Sequence, residues 1–115
     1  MPHREWRFRV RDILEAIAAV QGYTAGMDLD RFAADRKTVD AVLRNLIVIG
    51  EAATHLPESV GEHHPQLPWA DMRALRNFVV HEYFGVSDAI IWDTIQRNLP
   101  PLVEPLRHIL ESETE

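Results

Sequence analysis

The chain contains no cysteine, which removes disulfides, thiolate metal sites and a cysteine nucleophile from consideration. No apolar run approaches the roughly 20 residues needed to cross a bilayer, so a membrane span is not expected. The opening stretch MPHREWRFRVRD carries four arginines and no apolar segment, unlike a secretory signal. No internal repeat and no low-complexity segment interrupts the chain, and no paired Glu-x-x-His helices of the di-iron type occur. Positive charge is also scarce. Twelve Lys and Arg stand against eighteen Asp and Glu, a net charge of −6, which argues against a broad phosphate-binding surface. A local cationic site remains open, because several arginines lie within residues 4–11 and four more within residues 73–107. What is present is an ordinary globular composition, 46% hydrophobic and 26% charged over 115 residues. One cytoplasmic domain spanning 1–115 is the expectation, long enough to bury a core of its own.

Apolar residues recur at three- and four-residue steps, the spacing of amphipathic helices. Trp6, Val10, Ile13, Leu14, Ile17 and Val20 mark the first, ended by Gly22 and Gly26. Asp28, Asp30 and Asp35 follow as cap candidates around a short helical turn. A second long helix runs from about Thr38 to His55, with Val39, Val42, Leu43, Leu46, Ile49, Ala53 and Leu56 facing inward. LIVIG within it would suit a short strand, but the helical period continues through it. Ile47 and Val48 make that helix apolar nearly all round, a pattern that calls for cover on more than one side, and a second chain could supply it. LPESVGEHHPQLP reads as a connecting loop. A third helix starts near Pro68 and runs to about Phe84, stopping at Gly85. Ser87 and Asp88 open a fourth, carrying Ile90, Ile91, Ile95 and Leu99. Pro100 and Pro101 interrupt it before Leu102 to Leu110 resumes, with a kink at Pro105. The fold class is all-α, an antiparallel bundle of four to five helices.

The third helix holds the unusual chemistry. Unrolled at about 100° per residue from Arg76, Met72, Leu75, Phe78 and Val79 fall between about 200° and 320°, the core stripe. Arg73, Arg76, Asn77 and His81 fall between about 0° and 140°, interleaved with Trp69, Val80 and Phe84. Such a mixture makes a poor solvent surface and a good interface. Asn77 and His81, four apart, can hydrogen-bond and fix the imidazole tautomer. Arg76 and Tyr83 are nearly aligned, while Arg76 and His81 flank a shared groove. A symmetric dimer pairing this face with itself brings two histidines and two arginines to one cleft. That set suits RNA phosphodiester cleavage without a metal or other cofactor: one imidazole takes the 2′-OH proton, the other protonates the leaving 5′-oxygen, and arginine steadies the phosphorane. A single structural histidine bonded to a backbone carbonyl is the plainer reading of the same spacing.

RNFVVHEY resembles the R-x4-H-x-Y signature of the HepT-like proteins, within the HEPN (higher eukaryotes and prokaryotes nucleotide-binding) superfamily. The resemblance covers nearly the whole chain. TVDAVLRNLIVIGEAA is similar to the family's second helix, LPWADMRALRN to the entry of its motif helix, and IIWDTIQRNLPPL to its last. It implies a HEPN-like helical bundle that dimerises through the motif helices and acts as the toxin of a toxin–antitoxin pair, a metal-independent endoribonuclease attacking mRNA or tRNA. By match, Arg76 and His81 are the catalytic pair, with Asn77 in the polar position after the arginine. Tyr83 occupies the place of the tyrosine that a minimal nucleotidyltransferase antitoxin adenylylates, a modification that would set bulk and phosphate charge beside Arg76. The acidic net charge fits a basic antitoxin surface at least as well as RNA.

Other residues admit two readings. Glu51 could orient His81 or Arg76 in the cleft, although a buried pair with an arginine of the first helix is favoured. Glu62, His63 and His64 are read as solvated loop rather than metal ligands. Trp69 and Trp92 are read as packing rather than base-stacking platforms, and the arginines of residues 4–11 as a solvated helix start rather than an RNA contact. Two further functions compete with the toxin: a non-catalytic HEPN module holding nucleotide or substrate for a nucleotidyltransferase, and a dimeric scaffold.

Overall fold

A computed structural model describes residues 3–82 and 87–112. Its described residues form helices α1 (His3–Thr24), α2 (Leu29–Ala34), α3 (Arg36–Thr54), α4 (Glu58–His63), α5 (Trp69–Glu82), α6 (Asp88–Arg97) and α7 (Pro100–Ser112), with no strand. Five of these reach ten residues or more. The expected ends of the third helix at Phe84 and Gly85 fall outside the described residues.

Helix boundaries follow local chemistry. Gly26 turns the chain after α1 with φ 77°, a left-handed conformation that glycine adopts without strain. Asp28 caps α2 by accepting the Arg31 N–H at 2.8 Å, and Asp35 caps α3 by accepting that of Thr38 at 3.2 Å. Asp30 instead lies inside the first turn of α2, where its charge meets the helix dipole. Hydrogen bonds from Thr38, side chain first and backbone second, hold the Asp35 carboxyl below its ordinary value. Ser87 caps α6.

The central layer is α3, which packs against α1 on one side and α5 on the other, while α7 lies along α1 and α6 covers α2. Trp6, Val10, Ile13, Ile17 and Val20 of α1 meet Val39, Val42, Leu46 and Ile49 of α3 in one core, all at 5% exposure or less. The Arg7 guanidinium ties the start of α1 to the end of α7 by donating to the Leu110 carbonyl at 2.8 Å. Phe32 and Trp92 pack with ring centroids 5.2 Å apart, so Trp92 is a packing residue.

Two expectations are corrected. The proline-rich connection is not all loop: it contains α4, started at Pro57 and held by the buried Val60. His64 is accordingly buried, not solvated, and its carbonyl accepts the Trp69 indole N–H at 2.8 Å, whereas His63 stays exposed. Ile90 does not face the core. It stands 50% exposed, because Ile91 and Ile95 define the inner stripe of α6 and Ile90 lies about 100° away from it.

Candidate active site on the α3–α5 face

Helix α5 divides as its period requires. Met72 and Val79 are buried and Leu75 and Phe78 half-buried against the core, while Arg73, Arg76, Asn77, Val80 and His81 are exposed on the other side. Trp69, expected near the polar face, is buried as packing, with its indole N–H satisfied by His64. Val80 is 53% exposed, an uncovered apolar side chain among the polar ones.

Arg76 is positioned twice over. Its backbone is locked against α3, because Gly50 leaves so little room that a Cβ there would lie 2.6 Å from the Arg76 nitrogen and 3.0 Å from its Cβ. Its guanidinium Nε is ion-paired with Glu51 at 2.9 Å, both side chains about half exposed at 51% and 49%. So Glu51 serves Arg76, not an arginine of the first helix. It sits on the outer face of α3, one position past the glycine that brings the two backbones together, and α5 is therefore the helix within its reach. An exposed pair of this kind stabilises by only about 0.2–1 kcal/mol, so its consequence is orientation. The planar guanidinium keeps its remaining N–H donors for a second oxyanion.

The other expected partners are not joined. No hydrogen bond links Asn77 to His81 within the described residues, and both side chains face solvent. Arg76 and His81 stand about 7.5 Å apart along the axis and about 140° around it, flanking the exposed face. Tyr83 lies outside the described residues. No three His, Asp or Glu side chains converge as a metal site among the described residues, and no helix is long and apolar enough to cross a membrane.

Sequence reasoning passed over Gly50. Its signal was there: a lone glycine inside a strongly helical run costs about 1 kcal/mol against alanine, and a close approach is the usual compensation. It also missed a cleft where α4 faces the first turns of α5, because the prolines of that stretch read as loop.

The chain has relatives of known family. The family model described as "HepT-like: Ribonuclease HepT-like" matches residues 13–109. The chain is 39% identical over 111 residues to "Putative RNase MJ0127" of Methanocaldococcus jannaschii, covering 96% of this chain and 92% of that one. It is 37% identical over 93 residues to "Probable ribonuclease HepT" of Thermococcus cleftensis, covering 81% and 84%. No solved structure matches. Arg76, Asn77, His81, Gly50 and Glu51 all fall inside the matched span, and the chain belongs to the HepT-like ribonuclease family.

Proposed function

We propose that the protein is the toxin of a toxin–antitoxin pair, an endoribonuclease that cleaves cellular RNA without a metal at a site completed by a second copy of the chain. The observation that carries this reading is the exposed Arg76, held from below by Gly50 and from the side by Glu51, on the same face as His81. Each chain contributes one such histidine, whereas 2′-OH transesterification uses a base and an acid at once. A twofold axis through this face supplies both. Ile47 and Val48, half-buried on α3, and Val80 on α5 are the apolar residues that such a pairing would cover.

One His81 takes the proton from the ribose 2′-OH as that oxygen bonds to phosphorus. The P–O5′ bond breaks, and the partner's His81 delivers a proton to the departing oxygen. The products are a 2′,3′-cyclic phosphate and a 5′-hydroxyl. Arg76 steadies the extra charge on the phosphoryl oxygens, a role for which a preorganised donor is worth about 10²–10³ in rate. A nucleotidyltransferase antitoxin silences the enzyme by transferring AMP from ATP to the Tyr83 hydroxyl with release of pyrophosphate, which adds an anionic phosphodiester seven residues after Arg76 in the sequence.

The test is incubation of purified protein with total RNA in the presence of a chelator. Wild type cleaves, leaving cyclic-phosphate ends, while Arg76→Ala and His81→Ala fall by about 100-fold or more yet remain folded. Cleavage that requires Mg²⁺ would contradict the mechanism. Intact RNA with retained nucleotide binding would favour the non-catalytic partner of a nucleotidyltransferase.

A further inference from the structure

The cleft between α4 and α5, bordered by the end of α3, lies one helical turn from Arg76 and takes no part in the chemistry above. Its volume is about 680 Å³, within the roughly 300–1,000 Å³ of small-molecule sites. Pro57 and the buried Trp69 contribute apolar walls, Glu58 and Glu62 stand on one side, and Arg73 stands on the other. Glu58 and Glu62 are four apart on α4 and so share a face. Opposite charges line one opening, yet Arg73 forms no ion pair among the described residues. The opening therefore has room for a ligand with an anionic group at one end and hydrogen-bond donors at the other.

Continuity with the proposed site identifies that ligand's class. Arg73 precedes Arg76 by three residues, about 4.5 Å along the axis and about 60° around it, so the two guanidinium groups follow one another along the same surface. An RNA strand whose scissile phosphate lay on Arg76 would carry its neighbouring nucleotide over this cleft. We propose that the cleft is a base-reading subsite for the nucleotide beside the scissile bond: Arg73 holds its phosphate, and Glu58 and Glu62 select a base presenting N–H donors, guanine above all. Guanine offers N1–H and an exocyclic amino N–H side by side, a pair one carboxylate accepts together. Uracil presents carbonyl oxygens flanking a single N–H and would set them against the carboxylates. Unpaired RNA bases are read on this edge, with apolar walls against their faces. The acidic net charge thereby acquires a role at the site, since carboxylates contribute selectivity where they would weaken non-specific phosphate binding.

This inference rests on the ribonuclease reading and names its substrate preference, so the experiment separates the two. The full-length protein is incubated with an unstructured RNA pool randomised at its centre, and the new 5′-hydroxyl ends are sequenced. In parallel, fluorescence anisotropy with His81→Ala compares labelled UUGUU with UUUUU. Wild type should favour guanine over uracil beside the cut by roughly tenfold or more. Glu58→Gln and Glu62→Gln, both exposed and tolerant positions, should flatten that preference in cleavage and, combined with His81→Ala, in binding. Arg73→Ala should weaken every oligonucleotide alike, lower the salt slope by about one, and leave the base preference in place. A wild type blind to the base, or carboxamide variants that keep the preference, would overturn the subsite. Base-selective binding without cleavage would sink the nuclease reading alone, and no RNA binding at all would sink both.

Discussion

Replacing Gly50 by alanine adds one methyl group at the closest approach of α3 and α5. That carbon would sit 2.6 Å from the Arg76 backbone nitrogen, and ordinary contact begins near 3.4 Å, so the helices must separate by about 0.8 Å. The obstacle is backbone, which cannot swing aside as a side chain would. Overpacking of this kind costs about 1–3 kcal/mol, against which alanine recovers up to about 1 kcal/mol of helix propensity. The net loss is about 0–2 kcal/mol. Gly22 supplies the control: it is exposed near the end of α1, with nothing within 4 Å of an added Cβ, so Gly22→Ala gains the propensity without the clash. Both changes restrict the unfolded chain alike, so the difference between them isolates the contact. Urea unfolding followed by circular dichroism should place Gly50→Ala below Gly22→Ala by about 1–3 kcal/mol. RNA cleavage should fall further than stability does, because a displacement approaching 1 Å at Arg76 can cost about 10² in rate. Coincident unfolding midpoints for the two variants would refute the close approach and, with it, the account of how Arg76 is placed.

Glu51→Gln should change stability by less than about 1 kcal/mol, since the ion pair is half exposed, while RNA cleavage drops and is not restored by salt; unchanged turnover would remove Glu51 from the positioning of Arg76. Asp35 tests the capping argument through pH. Its folded carboxyl titrates below its unfolded value, so its contribution is present above the ordinary carboxylate range and fades as pH falls through the lower, folded value. Asp35→Asn should therefore show a shallower loss of stability on acidification than wild type, read from thermal melts across that range; parallel curves would contradict it. Val80→Asp places a charge on the apolar part of the proposed pairing face. Sedimentation velocity should show a shift from dimer to monomer with the helical content intact, and an unaltered sedimentation coefficient would move the pairing elsewhere.

The bundle was legible in the sequence because its long helices bury a single stripe. Val10, Ile13, Ile17 and Val20, or Val39, Val42, Leu46 and Ile49, announce their faces by spacing alone. The motif helix was equally legible: its exposed Arg73, Arg76, Asn77 and His81 follow from the wheel. What spacing could not show was whatever depends on contact between helices. Glu51 had several arginines to choose from, and only the crossing at Gly50 selects Arg76. The helix α4 hid behind Pro57 and Pro65, since it owes its existence to burying Val60 and stacking Gly61 against Trp69, 3.5 Å from a would-be Cβ, and not to propensity. Ile90 misled because hydrophobic identity was read without its angle on α6.

Asp35 ends one helix and begins the next: its N–H donates to the Arg31 and Phe32 carbonyls while its carboxylate caps α3. The joint leaves the chain no slack. Inserting one residue there would rotate α2 by about 100° against the bundle, withdrawing Phe32 from Trp92 while Arg36, on α3, kept the Asp88 carboxylate it meets at 2.9 Å, so α6 could no longer satisfy both contacts. Since α6 is anchored to α2 and to the head of α3 by those contacts, the spacing at this joint sets where the chain re-enters the fold after the motif helix. A length change in a segment remote from Arg76 would thus be felt as a misplaced exit from its helix.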